Sequence, residues 1–249
     1  MKVHGIIAMV LGAAMVLAAC KETATGPNDL GGDTNLDLTQ VGNTFTTFLS
    51  SDSYVPGFDH MQDSVVITRN DKGLVTTHAQ VRFDSIFVAA LDSSLGIASY
   101  PKSVKLAILD TYLKRYGAVI DSTNKQAMTV TFDLKMKVTS DGLQEFISSK
   151  GDLSRPYTIV KYAASVGDRY EFTNTEGIKI TREVTYKSTT DDYQIGFLLI
   201  KVEKVEETSD DPLVEKITYY ANHKFGLVGV VLRTKTGKEL KLGIIPPNM

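Results

Sequence analysis

After about residue 44, apolar and polar residues alternate with period two along much of the chain. This is the pattern of strands with one face buried and the other wet. In the stretch QAMTVTFDLKMKV, Met128, Val130, Phe132, Leu134, Met136 and Val138 fall on one face, and Thr129, Thr131, Asp133, Lys135 and Lys137 on the other. A related alternation runs through Val75, Ala79, Val81, Phe83 and Phe87, after the apolar SVVI and the turn-forming Asn70, Asp71, Lys72 and Gly73. That arrangement predicts a hairpin. Ile178, Ile180, Val184 and Tyr186 alternate with Lys179, Thr181, Glu183 and Thr185, and two further hairpins turn at Asn222 to Lys224 and at Thr236 with Gly237. The segment from Ile195 to Ile200 is apolar on both faces and predicts a central strand; Val202 and Val205 then break phase, as a bulge would make them do.

Between Ser99 and Gly117 the period changes to 3.6. Pro101 suits a first helical turn and Gly117 a stop. At 100° per residue Leu106, Ile108, Leu109, Tyr112, Leu113 and Tyr116 share one arc, opposite Ser103, Asp110, Thr111, Lys114 and Arg115. The predicted fold class is α+β and β-dominated: antiparallel, curved sheets, as a sandwich or an open barrel, with one amphipathic helix over about 101–116 packed on them. The polar stretch SSKGDLSRP marks a boundary between a β-rich region at 44–150 and an antiparallel β region at 151–249, which can also form one continuous domain. Ahead of these, residues 20–43 are rich in Gly, Asn, Asp and Thr and read as a flexible tether.

The first 19 residues have the layout of a secretory signal peptide: Lys2, an apolar run from Gly5 to Leu17, then small residues before Cys20. Leu17, Ala18, Ala19 and Cys20 resemble the lipobox of bacterial lipoproteins. The resemblance covers the leader alone and implies cleavage before Cys20, acylation of its sulfur and new N-terminus, and membrane lipid as a partner. Several acyl chains make such attachment stable. Cys20 is the only cysteine, so no internal disulfide can form. Lys21 differs from the aspartate that retains many such lipoproteins at the inner membrane, which points to the outer membrane of the cell envelope. In the last third, VGDRYEF at 166–172 and TYYANHKFGLVGVV at 218–231 resemble a Gly-Asp-x-aromatic and Tyr-Tyr-Ala…Gly-Leu-Val β pattern of uncharacterised bacterial envelope lipoproteins. Here Tyr170 stands where that pattern more often has Trp.

Composition narrows the function classes. The 249 residues are 43% hydrophobic and 22% charged, an ordinary globular balance, and 27 Lys plus Arg against 29 Asp plus Glu leave a formal charge of −2. No basic field exists to draw in nucleic acid. The densest candidate chemistry is FDHMQD, where Asp59, His60 and Asp63 would need His78 nearby to make a metal site or an acid-base pair. His78 lies on a polar strand face with Gln80 and Arg82, and His60 in a loop, so solvated side chains are the simpler reading and neither metal nor cofactor is expected. The hydrolase Gly-x-Ser-x-Gly elbow, the phosphate-cradling glycine loop and the paired-His zinc motif are absent from the sequence. The expected role is non-enzymatic binding or scaffolding by an anchored envelope lipoprotein. Its alternatives are carriage of an apolar ligand in a β cavity, and a metal-dependent enzyme centred on Asp59, His60, Asp63 and His78.

Overall fold

The computed structural model describes residues 30–51, 62–84, 95–121 and 127–247, with 86, 89, 92 and 93 between. The leader, Cys20, Asp59 and His60 lie outside these residues. The strands in chain order are β1 (Thr44–Ser51), β2 (Gln62–Asp71), β3 (Leu74–Asp84), β4 (Val119–Asp121), β5 (Ala127–Thr139), β6 (Gly142–Glu145), β7 (Tyr157–Lys161), β8 (Arg169–Thr173), β9 (Lys179–Lys187), β10 (Tyr193–Ile195), β11 (Leu198–Ile200), β12 (Glu203–Ser209), β13 (Val214–Asn222), β14 (Gly226–Thr234) and β15 (Glu239–Ile245). The helix α1 (Lys102–Tyr116) precedes β4.

Thirteen strands form one antiparallel sheet, ordered β7-β6-β5-β3-β2-β1-β15-β14-β13-β12-β9-β8, with β4 pairing β5 off that path. Followed along the chain, the order is a ring. Strands β1 to β7 run outward from the middle, β8 to β15 return from the other edge, and β15 pairs with β1 from Thr46↔Ile245 to Ser51↔Leu240. The result is a nearly closed up-and-down barrel whose one break lies between the edge strands β7 and β8. Both sequence regions, 44–150 and 151–249, contribute to this one sheet, and the boundary stretch is the β6–β7 connection.

Side chains bridge the break where a backbone ladder would. Lys161 N–H donates to Tyr170 Oη at 3.3 Å, and Tyr157 Oη donates to the Thr173 carbonyl at 2.9 Å. The ring of Tyr157 stacks on Phe172 with centroids 4.1 Å apart. Arg182 is 1% exposed and donates to the carbonyls of Tyr157 at 3.3 Å and Thr158 at 2.8 Å, to Glu145 at 2.9 Å and to Glu207 at 2.7 Å. Groups that an edge strand would leave to water are thereby satisfied.

Inside the ring, Ile67, Val75, Val138, Leu143, Ile159, Val160, Val184, Val205 and Ala221 form one cluster drawn from eight strands, with Phe45 of β1 and Leu227 of β14 packed against it. Removing each Ile, Val or Leu among them from water contributes roughly 1.5–3 kcal/mol. Residues 30–43, within the stretch read from sequence as a tether, are folded against this core. Leu30 and Thr39 are buried, Leu36 and Leu38 pack on the cluster, and Asn70 Nδ2 donates to Thr39 O at 2.9 Å. Ser140 N–H donates to Asp33 O at 2.9 Å. These contacts cover the barrel end that carries the β2–β3, β5–β6 and β13–β14 turns, where Leu38 also lies against Gly226.

α1 spans the predicted helix and stops at Gly117, whose φ of 62° gives the left-handed cap that glycine adopts without strain. It rests on β5 with Ile108 and Leu113 half-buried, but Leu106 and Val104 remain exposed, so part of the apolar arc is uncovered. The stretch Ile195 to Ile200 corrects its prediction. It is a short hairpin, β10 turning through Gly196 and Phe197 into β11, with Ile195 opposite Leu198. Gly196 has φ 55°, which permits the turn, and apolar residues on both faces belong to two three-residue strands instead of one long one.

Candidate binding site

The far edge of β5 is shared by two short strands. β4 pairs with Thr129, Val130 and Thr131, and β6 with Met136 to Thr139. Between them, among the described residues, no strand pairs with the stretch around Asp133 and Lys135, while β3 pairs with it on the other side. The phase of hydrogen bonding follows from Val138, whose N–H donates to Gly73 O on the β3 side. Even-numbered residues of β5 therefore bond towards β3 and odd-numbered ones towards the notch. The backbone N–H and C=O of Asp133 and Lys135 face a gap about four residues long, or about 13 Å.

The gap opens into a depression of about 410 Å³. Its walls are the end of α1 at Lys114 and Gly117, Val119 of β4, and the turn after β6 at Phe146, Ile147, Lys150 and Gly151. That turn is closed by Gly151 N–H donating to Phe146 O at 2.8 Å, with Gly151 at φ 85°. Phe132, Leu134 and Phe146 give the floor an apolar part, and His78, Asp133, Lys114, Lys135 and Lys150 ring it with charge.

The cations are unevenly engaged. Lys114 pairs with Asp110 at 2.7 Å on the exposed helix surface, and Lys150 approaches Glu176 at 3.7 Å. Lys135 makes no ion pair among the described residues. The His78 Nδ1–H donates to Asp133 Oδ1, its cross-strand partner, at 2.8 Å, and both side chains are about half exposed. The arrangement offers two backbone donor and acceptor pairs, a cationic rim and an apolar floor, which suits an extended anionic segment more than a small apolar ligand.

Of the residues singled out from sequence, His78 is in this site, but facing Asp133. Asp63 lies on β2 opposite Thr47 of β1, whereas the β2 partner of His78 is Val66. No group of three or more metal-binding side chains occurs among the described residues. Sequence reading missed Lys114, Lys135 and Lys150: Lys135 was visible as a polar-face residue, but nothing in a one-dimensional pattern marks two short strands that leave a gap between them. It also missed Arg182, although a charge standing in the apolar phase between Ile180 and Val184 was a signal.

Burial alone would lower the Arg182 pKa, but Glu207, Tyr219 and Glu145 outweigh it and raise it, so the guanidinium stays charged. Tyr219 is pushed well up by burial and by Glu207, to which its hydroxyl donates at 2.8 Å. Compared with models of known families and with curated proteins, the chain matches none.

Proposed function

We propose that this is a lipid-anchored envelope protein that acts by binding, and that the β5 notch receives a short, extended, anionic peptide segment. The observation that carries the reading is the pair of unladdered residues Asp133 and Lys135, set beside Lys114 and Lys150. Main-chain bonds to a sheet edge supply affinity and the lysines select for acid, the usual division of labour in strand addition. The inward-facing cluster of Ile67, Val138, Val184 and Val205 favours a surface role over carriage of an apolar ligand inside the ring.

The anchor rests on the lipobox resemblance at Leu17 to Cys20 and is tested with Cys20→Ser: its electrophoretic mobility differs from that of the acylated wild type if the reading holds, and unchanged mobility overturns it. The binding site is tested by titrating an acetylated peptide of alternating Glu and Val, with an alternating Lys and Val peptide as control. Preference for the acidic peptide, weakened about tenfold by Lys135→Glu, about 1.4 kcal/mol, is the expected result. Equal binding of both peptides, or no effect of Lys135→Glu, overturns it.

A further inference from the structure

The hairpin β10–β11 ends in three consecutive apolar residues that the protein leaves in water. Phe197 is 106% exposed, Leu199 59% and Leu198 47%. Scattered apolar residues on a surface need no explanation, but three together on a projecting turn do. The mount beneath them is firm. Ile195 and Ile200 are buried with Val202 and Val228, and Tyr193 stacks on Tyr220 with centroids 4.9 Å apart. Gly229, the cross-strand partner of Tyr220, lacks the side chain that would collide with the Tyr193 hydroxyl. The apolar tip is thus held out by a well-packed base.

Its position is informative. The hairpin is inserted between Lys187, the last residue of β9, and Glu203, the first of β12, at the barrel end that residues 30–43 cover. Leu30 lies ten residue steps after Cys20, and a fully extended chain of that length spans about 35 Å. A lipid on Cys20 would hold this end, and so the hairpin, within that distance of the bilayer. Beside the hairpin, exposed Lys201 and Lys224 sit on neighbouring turns joined by Asn222 Nδ2 donating to Lys201 O at 2.7 Å. Neither ammonium is in an ion pair among the described residues. Exposed Asp191 lies at the start of the hairpin, and Asp192 there is engaged by Tyr186 and Ser188.

We propose that Phe197, Leu198 and Leu199 insert into the interfacial layer of an anionic bilayer, making a second attachment beside acylated Cys20. The placement of the hairpin rests on the reading of Cys20 as the anchor; the chemistry of the tip does not. Three residues are too few for a stable protein interface, which takes about 800 Å² from each partner, whereas a bilayer accepts an apolar point of any size. Lys201 and Lys224 complement anionic headgroups.

The chain contains no tryptophan, so Phe197→Trp introduces a single reporter at a fully exposed site that folding does not depend on. The full-length protein purified from host membranes is reconstituted in vesicles of phosphatidylcholine and phosphatidylglycerol with brominated acyl chains. Leu153→Trp, in the exposed β6–β7 connection at the opposite barrel end, is the control. The expected result is a blue-shifted emission for Phe197→Trp, quenched by bromine several-fold more than the control. Equal quenching of the two overturns the proposal, as does an indole shielded both from bromine and from aqueous acrylamide, which would report contact with protein. The electrophoretic mobility of Cys20→Ser reads acylation alone, whatever the tip does, so loss of the anchor and loss of tip insertion are separate results.

Discussion

Arg182 shows how much of this fold depends on a single charge. It is almost wholly buried and joins Glu145 and Glu207, themselves 4% and 8% exposed, to two carbonyls of an edge strand, while its guanidinium lies 4.8 Å from the Phe172 ring centroid. A buried ion pair adds little net stability over well-packed apolar residues, but removing one partner strands the others. Arg182→Met leaves two buried carboxylates facing each other and exposes two unsatisfied carbonyls. The expected cost is about 3–5 kcal/mol, measured by urea unfolding. Adding Glu145→Gln and Glu207→Gln should recover part of that loss, because it removes the uncompensated charge; a triple variant no more stable than Arg182→Met would show that packing, not charge, dominates.

Among the elements, the hairpin β10–β11 depends on space left in the wall behind it. Across the barrel exterior, Phe48, Gly243, Gly229, Tyr220, Lys204 and Tyr186 follow one another in register over six strands. The two glycines make room, Gly243 for the Phe48 ring and Gly229 for Tyr193, while Lys204 lies over the rings of both Tyr186 and Tyr220. Gly229→Val should unseat the hairpin and leave the ring intact: proteolysis between Tyr193 and Ile200 accelerates, with little change in far-ultraviolet circular dichroism. This register also bounds what sequence could reveal. The alternation through Met128 to Val138 and the turns at Gly73 and Thr236 were legible because each is a local pattern, whereas the bulge opposite Lys204 and Val205 takes its extra residue, Thr185, from β9, where the alternation looked unbroken. The hairpin at Gly196 was not legible, because apolar residues on both faces fit one buried strand as well as two short ones against a wall. The notch on β5 was hidden for a different reason, since its edges come from β4 and β6, on opposite sides of β5 in the chain.

For the molecule as a whole, Lys187 and Glu203 tie the covered barrel end together. Lys187 Nζ donates to Tyr162 O at 2.7 Å, to Ala164 O at 3.0 Å and to Glu203 Oε1 at 2.9 Å, which links the β7–β8 connection to β9 and β12. Glu203 Oε2 is buried without a hydrogen-bond partner. Burial pushes the Glu203 carboxyl above the ordinary glutamate range, although Lys187 and His223 pull it down. Because the folded value is raised, the folded state keeps a proton that the unfolded chain releases near its ordinary value of about 4.3. Stability from this group is therefore greatest below that pH and falls as pH rises through the folded value. Urea midpoints measured upward from about pH 4 should show this decline in the wild type and a smaller one in Glu203→Gln.

The ring also sets an order of assembly. Every ladder of the barrel except one joins strands that are neighbours, or nearly so, along the chain; the exception is β1 on β15, where Thr46 meets Ile245. Local meanders close quickly, whereas a contact spanning almost the whole chain waits for its last strand. In a chain made N-terminus first, β1 has one bare edge until the final strand arrives. The six strands leading to β7 and the six returning from β8 thus form as two half-shells, and the pairing of the first strand with the last is the step that completes the ring.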